Sequence, residues 1–192
     1  MGAGKSTVGS ALAARLDCAF EDLDDRVEQR EKRSVSQIFR DSGETQFRRA
    51  ERAALRELLK ELRRGGKKVA ALGGGAFTQV KNAELIEASC VPTVLLDAPV
   101  DELWRRCCRQ ARDQGTQRPL LHDWESFRKL YEIRLPKYLR ASVRLETNGK
   151  DIDAIVADIV EALSLGPRKL GPRKLGPRKL GPRKLNQRKQ PK

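Results

Sequence analysis

Lys5, Ser6 and Thr7 follow two glycines in the run Met1-Gly2-Ala3-Gly4-Lys5-Ser6-Thr7. This is the second part of a phosphate-binding loop of the form G-x-x-x-x-G-K-[ST]. Glycines allow backbone N–H groups to approach a phosphate closely, and a helix starting there adds the positive end of its dipole. Lys5 is then placed for the β- and γ-phosphates, and the Ser6 hydroxyl for Mg²⁺. Asp22-Leu23-Asp24 supplies two carboxylates one residue apart, one suited to the metal and one to a hydroxyl nucleophile. A solvated acidic turn is the alternative, since Asp25 follows. Arg48, three residues before Glu51, offers a guanidinium steadied by a carboxylate, a good two-pronged receptor for an anionic substrate. Gly73-Gly74-Gly75 would let a backbone come against a ligand. Arg118, in a polar, irregular lid over residues 112–125, could close on a transferring phosphoryl group. His122, the only histidine, is assigned no chemistry.

Regular elements must position these groups. Val8, Ala11, Leu12 and Leu16 make a helical stripe directly after the loop. A strand is expected at Ala19 to Asp22. Ser34 and Gln37 have capping-box spacing, predicting a helix that Gly43 ends, and Leu55, Leu58, Leu59 and Leu62 write a longer helix from Glu44 to Arg64. Lys68 to Leu72 reads as a strand feeding the glycine triplet, and Val91 to Leu96 as a buried strand ending at Asp97. Helices follow or intervene at 82–88 and 101–112. Phe127 to Arg140 reads as a helix interrupted near Pro136, leaving Arg134 just before a bend. A short strand at Val143 to Glu146 precedes a last helix patterned by Ile152, Ile155, Val156, Ile159, Val160 and Leu163.

Length and composition set the frame. The 192 residues suit one α/β domain over 1–165 with a tail over 166–192. The tail repeats Gly-Pro-Arg-Lys-Leu four times from Gly166 to Leu185 and has 11 Lys/Arg and no acid. The net charge of +14 therefore leaves only +3 for residues 1–165. A proline every fifth residue excludes helix, and the tail reads as disordered. With no aromatic to stack on bases, it is not expected to read nucleic acid specifically. The four cysteines form no C-x-x-C pair and read as free thiols of a reducing cytoplasm. No apolar run is long enough to span a membrane.

Taken together, six motifs resemble the shikimate kinase family over Met1 to about Leu163. They are M-G-A-G-K-S-T, Asp22-x-Asp24, Ile38-Phe39…Gly43-Glu44…Phe47-Arg48-x-x-Glu51, Gly73-Gly74-Gly75-Ala76, Arg118-Pro119-Leu120-Leu121 and Arg134-x-Pro136-x-Tyr138. The resemblance implies transfer of the γ-phosphoryl of ATP to the 3-hydroxyl of shikimate, in the pathway to chorismate and the aromatic amino acids. It implies that Gly2, Ala3, Gly4, Lys5, Ser6 and Thr7 hold ATP, with Ser6 and Asp22 at Mg²⁺. Asp24 contacts the accepting hydroxyl as base. Arg48, Gly73, Gly74, Gly75 and Arg134 bind shikimate, with both arginines on its carboxylate, and Glu51 keeps that site in order. Arg118 meets the transferring phosphate and Arg112 lies on adenine.

The implied fold is a three-layer P-loop kinase with a five-stranded parallel sheet, of which this chain carries four strands. The strand that should feed the phosphate loop, and the loop's first glycine, fall before Met1. Met1 matches an internal methionine of the family motif, which points to a start site called too late. A second basic contact to adenine could come only from Lys150, and the tail has no family counterpart. The rival readings are a gluconate-type small-metabolite kinase and a non-catalytic nucleotide-binding remnant with a basic tail. The expected partners are small molecules, with the chain a monomer.

Overall fold

The computed structural model describes residues 2–114 and 123–165. Its elements follow in the order α1 (Lys5–Arg15), β1 (Ala19–Asp22), α2 (Leu23–Glu31), α3 (Val35–Arg63), β2 (Lys68–Ala71), α4 (Val80–Ser89), β3 (Val94–Asp97), α5 (Val100–Gln114), α6 (Trp124–Tyr138), β4 (Val143–Glu146) and α7 (Ile152–Ala162). A single 3₁₀ turn, Ala76–Thr78, follows the glycine triplet.

Side-chain caps set several helix starts. Asp22 accepts from the Asp24 N–H at the head of α2, Asp123 from the Ser126 N–H at α6, and Asp151 from the Ala154 N–H at α7. Ser34 and Gln37 form the expected reciprocal box at α3. Gly43 breaks α3 with φ 75° and ψ 173°, a conformation essentially restricted to glycine, so the run is two helices meeting at a kink, as the sequence implied.

Two expectations need correction. Residues 23–31 form α2, a helix the sequence reading did not assign; only Leu23 and Val27 of its nine residues are buried. The bend expected before Pro136 is absent, because α6 continues through Pro136 to Tyr138. Proline there removes a single N–H one turn from the helix end, a loss the last turn tolerates.

The strands are all parallel. β1 pairs with β2, aligning Ala19 with Lys68 and Asp22 with Ala71, and β3 pairs with β4, aligning Val94 with Val143 and Asp97 with Glu146. The four strands do not form one sheet: they make two separate two-stranded sheets. On β2, Val69 packs with the side chains of α1 and α7, whereas Ala70, and Leu72 just past the strand, pack with those of α3 and α4. Helices therefore cover both faces. α1 contacts β1, β2 and α7, and its Val8 and Leu12 share a cluster with Leu96 of β3 and with Ile155, Val156 and Ile159 of α7. A third cluster joins α5 to α6 through Leu103, Cys107 and Phe127, bordered by Trp104 and Trp124.

Candidate active site

The phosphate-loop remnant sits against α5. Gly2 has φ +67°, and a Cβ there would lie 2.4 Å from the Leu103 carbonyl oxygen and 2.9 Å from the Cys107 sulfur. A side chain at this position thus meets both backbone strain and a backbone wall. Gly2→Ala should lower the urea midpoint by the equivalent of about 2–3 kcal/mol. Gly65→Ala, at φ +92° with open space around it, should lose only about 1 kcal/mol. Equal shifts for the two variants would contradict this packing.

Gly4, at φ 76°, starts α1 with no side-chain cap, and the first turn holds Lys5, Ser6 and Thr7 with no acid among them. Its N–H groups are left for an anion. The Ser6 hydroxyl donates to Asp22 Oδ2 at 3.2 Å, while Asp22 Oδ1 accepts from the Asp24 N–H at 3.0 Å. The helix that begins at Lys5 and the strand end that carries Asp22 therefore meet.

The glycine triplet is the meeting point of the remaining groups. A Cβ on Gly73 would fall 2.7 Å from Asp24 Oδ1, one on Gly74 3.4 Å from Arg134 Nη1, and one on Gly75 2.6 Å from Arg48 Nη1. A Cβ on Gly73 or Gly75 would displace the Asp24 carboxylate or the Arg48 guanidinium, whereas one on Gly74 would meet Arg134 at ordinary contact distance. The Tyr138 hydroxyl donates to the Gly74 carbonyl at 2.6 Å, which locks the loop to α6.

Electrostatics follow from this crowding. Burial, then the neighbouring Asp22 and Asp25, hold the Asp24 carboxyl above the usual range, while Lys5 and Arg48 pull it back. Glu51 is only 1 % exposed. Burial raises its carboxyl, and Arg48, which donates to both its oxygens at 3.0 and 3.2 Å, opposes the rise. Arg48 also reaches Glu44 at 3.1 Å and lies 5.0 Å from the Phe47 ring centre. The sequence reading missed Asn82. This fully buried amide donates to Glu51 Oε2 at 3.3 Å and to the Ala76 carbonyl at 3.1 Å, joining the arginine clamp to the glycine loop. Its only sequence signal was a polar residue on the buried face of α4.

Arg112 lies exposed in the last turn of α5. Of the irregular lid expected over 112–125, residues 112–114 belong to α5 and 124–125 to α6, and residues 115–122, Arg118 and His122 included, lie outside the described residues. Lys150 pairs with Asp158 of α7 at 2.7 Å. All four cysteines are free thiols.

A helix N-terminus open to phosphate, an adjoining hydroxyl–carboxylate pair and parallel strands under helices on both faces define the P-loop kinase class. Residues 1–164 match the description "Shikimate kinase". The chain is 38% identical over 170 residues to the shikimate kinase of Cereibacter sphaeroides, covering 87% of this chain and 80% of that one. It is 37% identical over 168 residues to the Thermus thermophilus shikimate kinase, covering 85% of each. The Acinetobacter baumannii shikimate kinase, solved in complex with shikimate, superposes with a TM-score of 0.71 at 33% identity, covering 89% of this chain and 91% of that one. The Aquifex aeolicus shikimate kinase gives a TM-score of 0.70 at 30% identity. The chain belongs to the shikimate kinase family.

Proposed function

We propose that this chain transfers the γ-phosphoryl group of ATP to the 3-hydroxyl of shikimate, giving shikimate 3-phosphate and ADP. The observation that carries the reading is the convergence of Asp24, Arg134 and Arg48 on Gly73, Gly74 and Gly75, beside the uncapped start of α1. The N–H groups of Gly4 to Thr7 bind the triphosphate, with Lys5 on its β- and γ-oxygens. Arg48 and Arg134 hold the shikimate carboxylate, and Glu51 and Asn82 keep Arg48 aimed at it. Asp24 accepts the proton of the 3-hydroxyl as that oxygen bonds to the γ-phosphorus and the bond to the ADP oxygen breaks. Its raised affinity for a proton suits that duty. Arg118 is assigned to the transferring phosphoryl group and Arg112 to adenine.

Ser6 and Asp22 present two adjacent hard oxygen donors, a set that fits Mg²⁺. They would hold that ion, which neutralises charge on the β- and γ-phosphates. The working unit is taken as a monomer. Among the described residues no helix is long and apolar enough to cross a membrane, and four free thiols suit a reducing cytoplasm.

The test is acceptor-dependent ADP release with Mg²⁺ and ATP, comparing shikimate with gluconate. Release that depends on shikimate supports the proposal. Release with gluconate alone would transfer the chain to the other acid, and folded protein that binds ATP without any release would make it a non-catalytic remnant.

A further inference from the structure

The Arg48 guanidinium holds two carboxylates of its own chain, and they differ in how firmly they are fixed. Glu51 sets both oxygens on one terminal nitrogen, Nη1, at 3.0 and 3.2 Å. It is buried and also bonded by Asn82, so removing it would strand a charge. Glu44 places a single oxygen, Oε1, between Nε at 3.2 Å and Nη2 at 3.1 Å. Its side chain is 65% exposed. Glu44 follows the break at Gly43 and so opens its own stretch of helix. Swinging it into water disturbs no core contact.

Gly75 closes the remaining side. An atom at the place of a Gly75 Cβ would lie 2.6 Å from Nη1, 2.7 Å from Nη2 and 3.0 Å from the central carbon of the guanidinium. Those three distances put it on the edge between the two terminal nitrogens. A ligand oxygen bonded to both nitrogens needs that same point, one covalent bond from the Gly75 Cα, and cannot sit there. The Nε–Nη2 edge is the two-pronged face that is left, and Glu44 stands on it. We infer that Glu44 is a displaceable gate: in the empty site it occupies the edge of Arg48 that a substrate carboxylate must take, and it swings out as that carboxylate binds. The inference rests on the assignment of Arg48 to the substrate carboxylate. A planar carboxylate that sets one oxygen on Nε and the other on Nη2 outcompetes one shared oxygen, whereas a single-point anion such as chloride does not. The gate thus favours acids that bind through both oxygens.

The experiment is calorimetric titration of the full chain with shikimate, and with gluconate as a second acid, comparing the parent with Glu44→Gln and Asp41→Asn. Glutamine keeps the shape of the side chain and removes the charge that holds it on Arg48. Asp41 is an exposed acid three residues earlier, paired with Arg40 at 3.2 Å, so its variant removes an equal charge nearby. Glu44→Gln should bind shikimate about two- to fivefold more tightly, and the KM for shikimate should fall alike. Chloride should compete with shikimate more strongly in Glu44→Gln than in the parent. Asp41→Asn should stay within about 1.5-fold of the parent. Equal affinity of the parent and Glu44→Gln, or an equal gain in Asp41→Asn, would overturn the gate. Weaker binding by Glu44→Gln would overturn it too, making Glu44 a prop for Arg48. A chain that binds gluconate and not shikimate would overturn the acceptor reading alone, because the same ratio is then read with gluconate. Folded chain that binds neither acid would overturn both.

Discussion

Asp24→Asn is expected to lower shikimate-dependent ADP release by about 10²- to 10⁴-fold and, at neutral pH, to raise the melting temperature by a few degrees. Both effects have the same origin. Burial and the adjacent carboxylates of Asp22 and Asp25 raise the Asp24 carboxyl in the folded chain, so the folded state holds this proton more tightly than the unfolded state. Stability from this group is full below the unfolded carboxyl range and is lost as pH rises through the raised folded value. At neutral pH the ionised Asp24 is thus a standing cost, which the neutral amide removes along with the base. The melting-temperature gap between variant and parent should open from about pH 4 and level off above the raised value. A gap that does not change with pH would refute the electrostatic account, and unchanged turnover would remove Asp24 from the chemistry.

Arg48→Met should raise the KM for shikimate and lower kcat/KM by about 2–4 kcal/mol of binding, roughly 30- to 1,000-fold. It should also destabilise the chain. Glu51 would keep Asn82 as its partner but lose the guanidinium that opposes its burial, and an uncompensated buried carboxylate is costly. The double variant Arg48→Met/Glu51→Gln distinguishes the two roles. The neutral amide no longer needs a cation, so melting temperature should recover most of the loss while kcat/KM stays low. Recovery of both would show that Arg48 serves only to neutralise Glu51.

Where neighbours in the sequence become neighbours in space, the site was readable. Gly4 to Ser6 must open a helix, Arg48 and Glu51 share a helix face, and Asp22 with Asp24 must straddle a strand end. The pairing of each glycine of the triplet with a different side chain was not readable, because Asp24, Arg134 and Arg48 arrive from α2, α6 and α3. Asn82 escaped notice for a similar reason: its partners, Glu51 and Ala76, follow no local pattern. α2 was hidden by its charge, since two apolar residues in nine give too little periodicity and the Asp22 cap shows only in the folded chain. Pro136 misled because the bias of the residue before a proline away from helix was overridden at Leu135, where α6 runs on to Tyr138. Four strands were expected in one sheet, and which of them share backbone hydrogen bonds, β1 with β2 and β3 with β4, is written in no single stretch of sequence.

That division gives α1 a second importance. It carries the phosphate-binding residues at its N-terminus, and its flank touches β1 and β2 as well as the cluster of β3 and α7. It shares the joining of the two strand pairs with α6, whose Tyr138 bonds the Gly74 carbonyl, and with Arg140 just past that helix, which pairs with Glu87 of α4. A triphosphate seated on α1 and Asp22 would brace α1 against the β1 side, so nucleotide should raise the melting temperature. The substrate that supplies the phosphoryl group would then also act as a clasp on the fold.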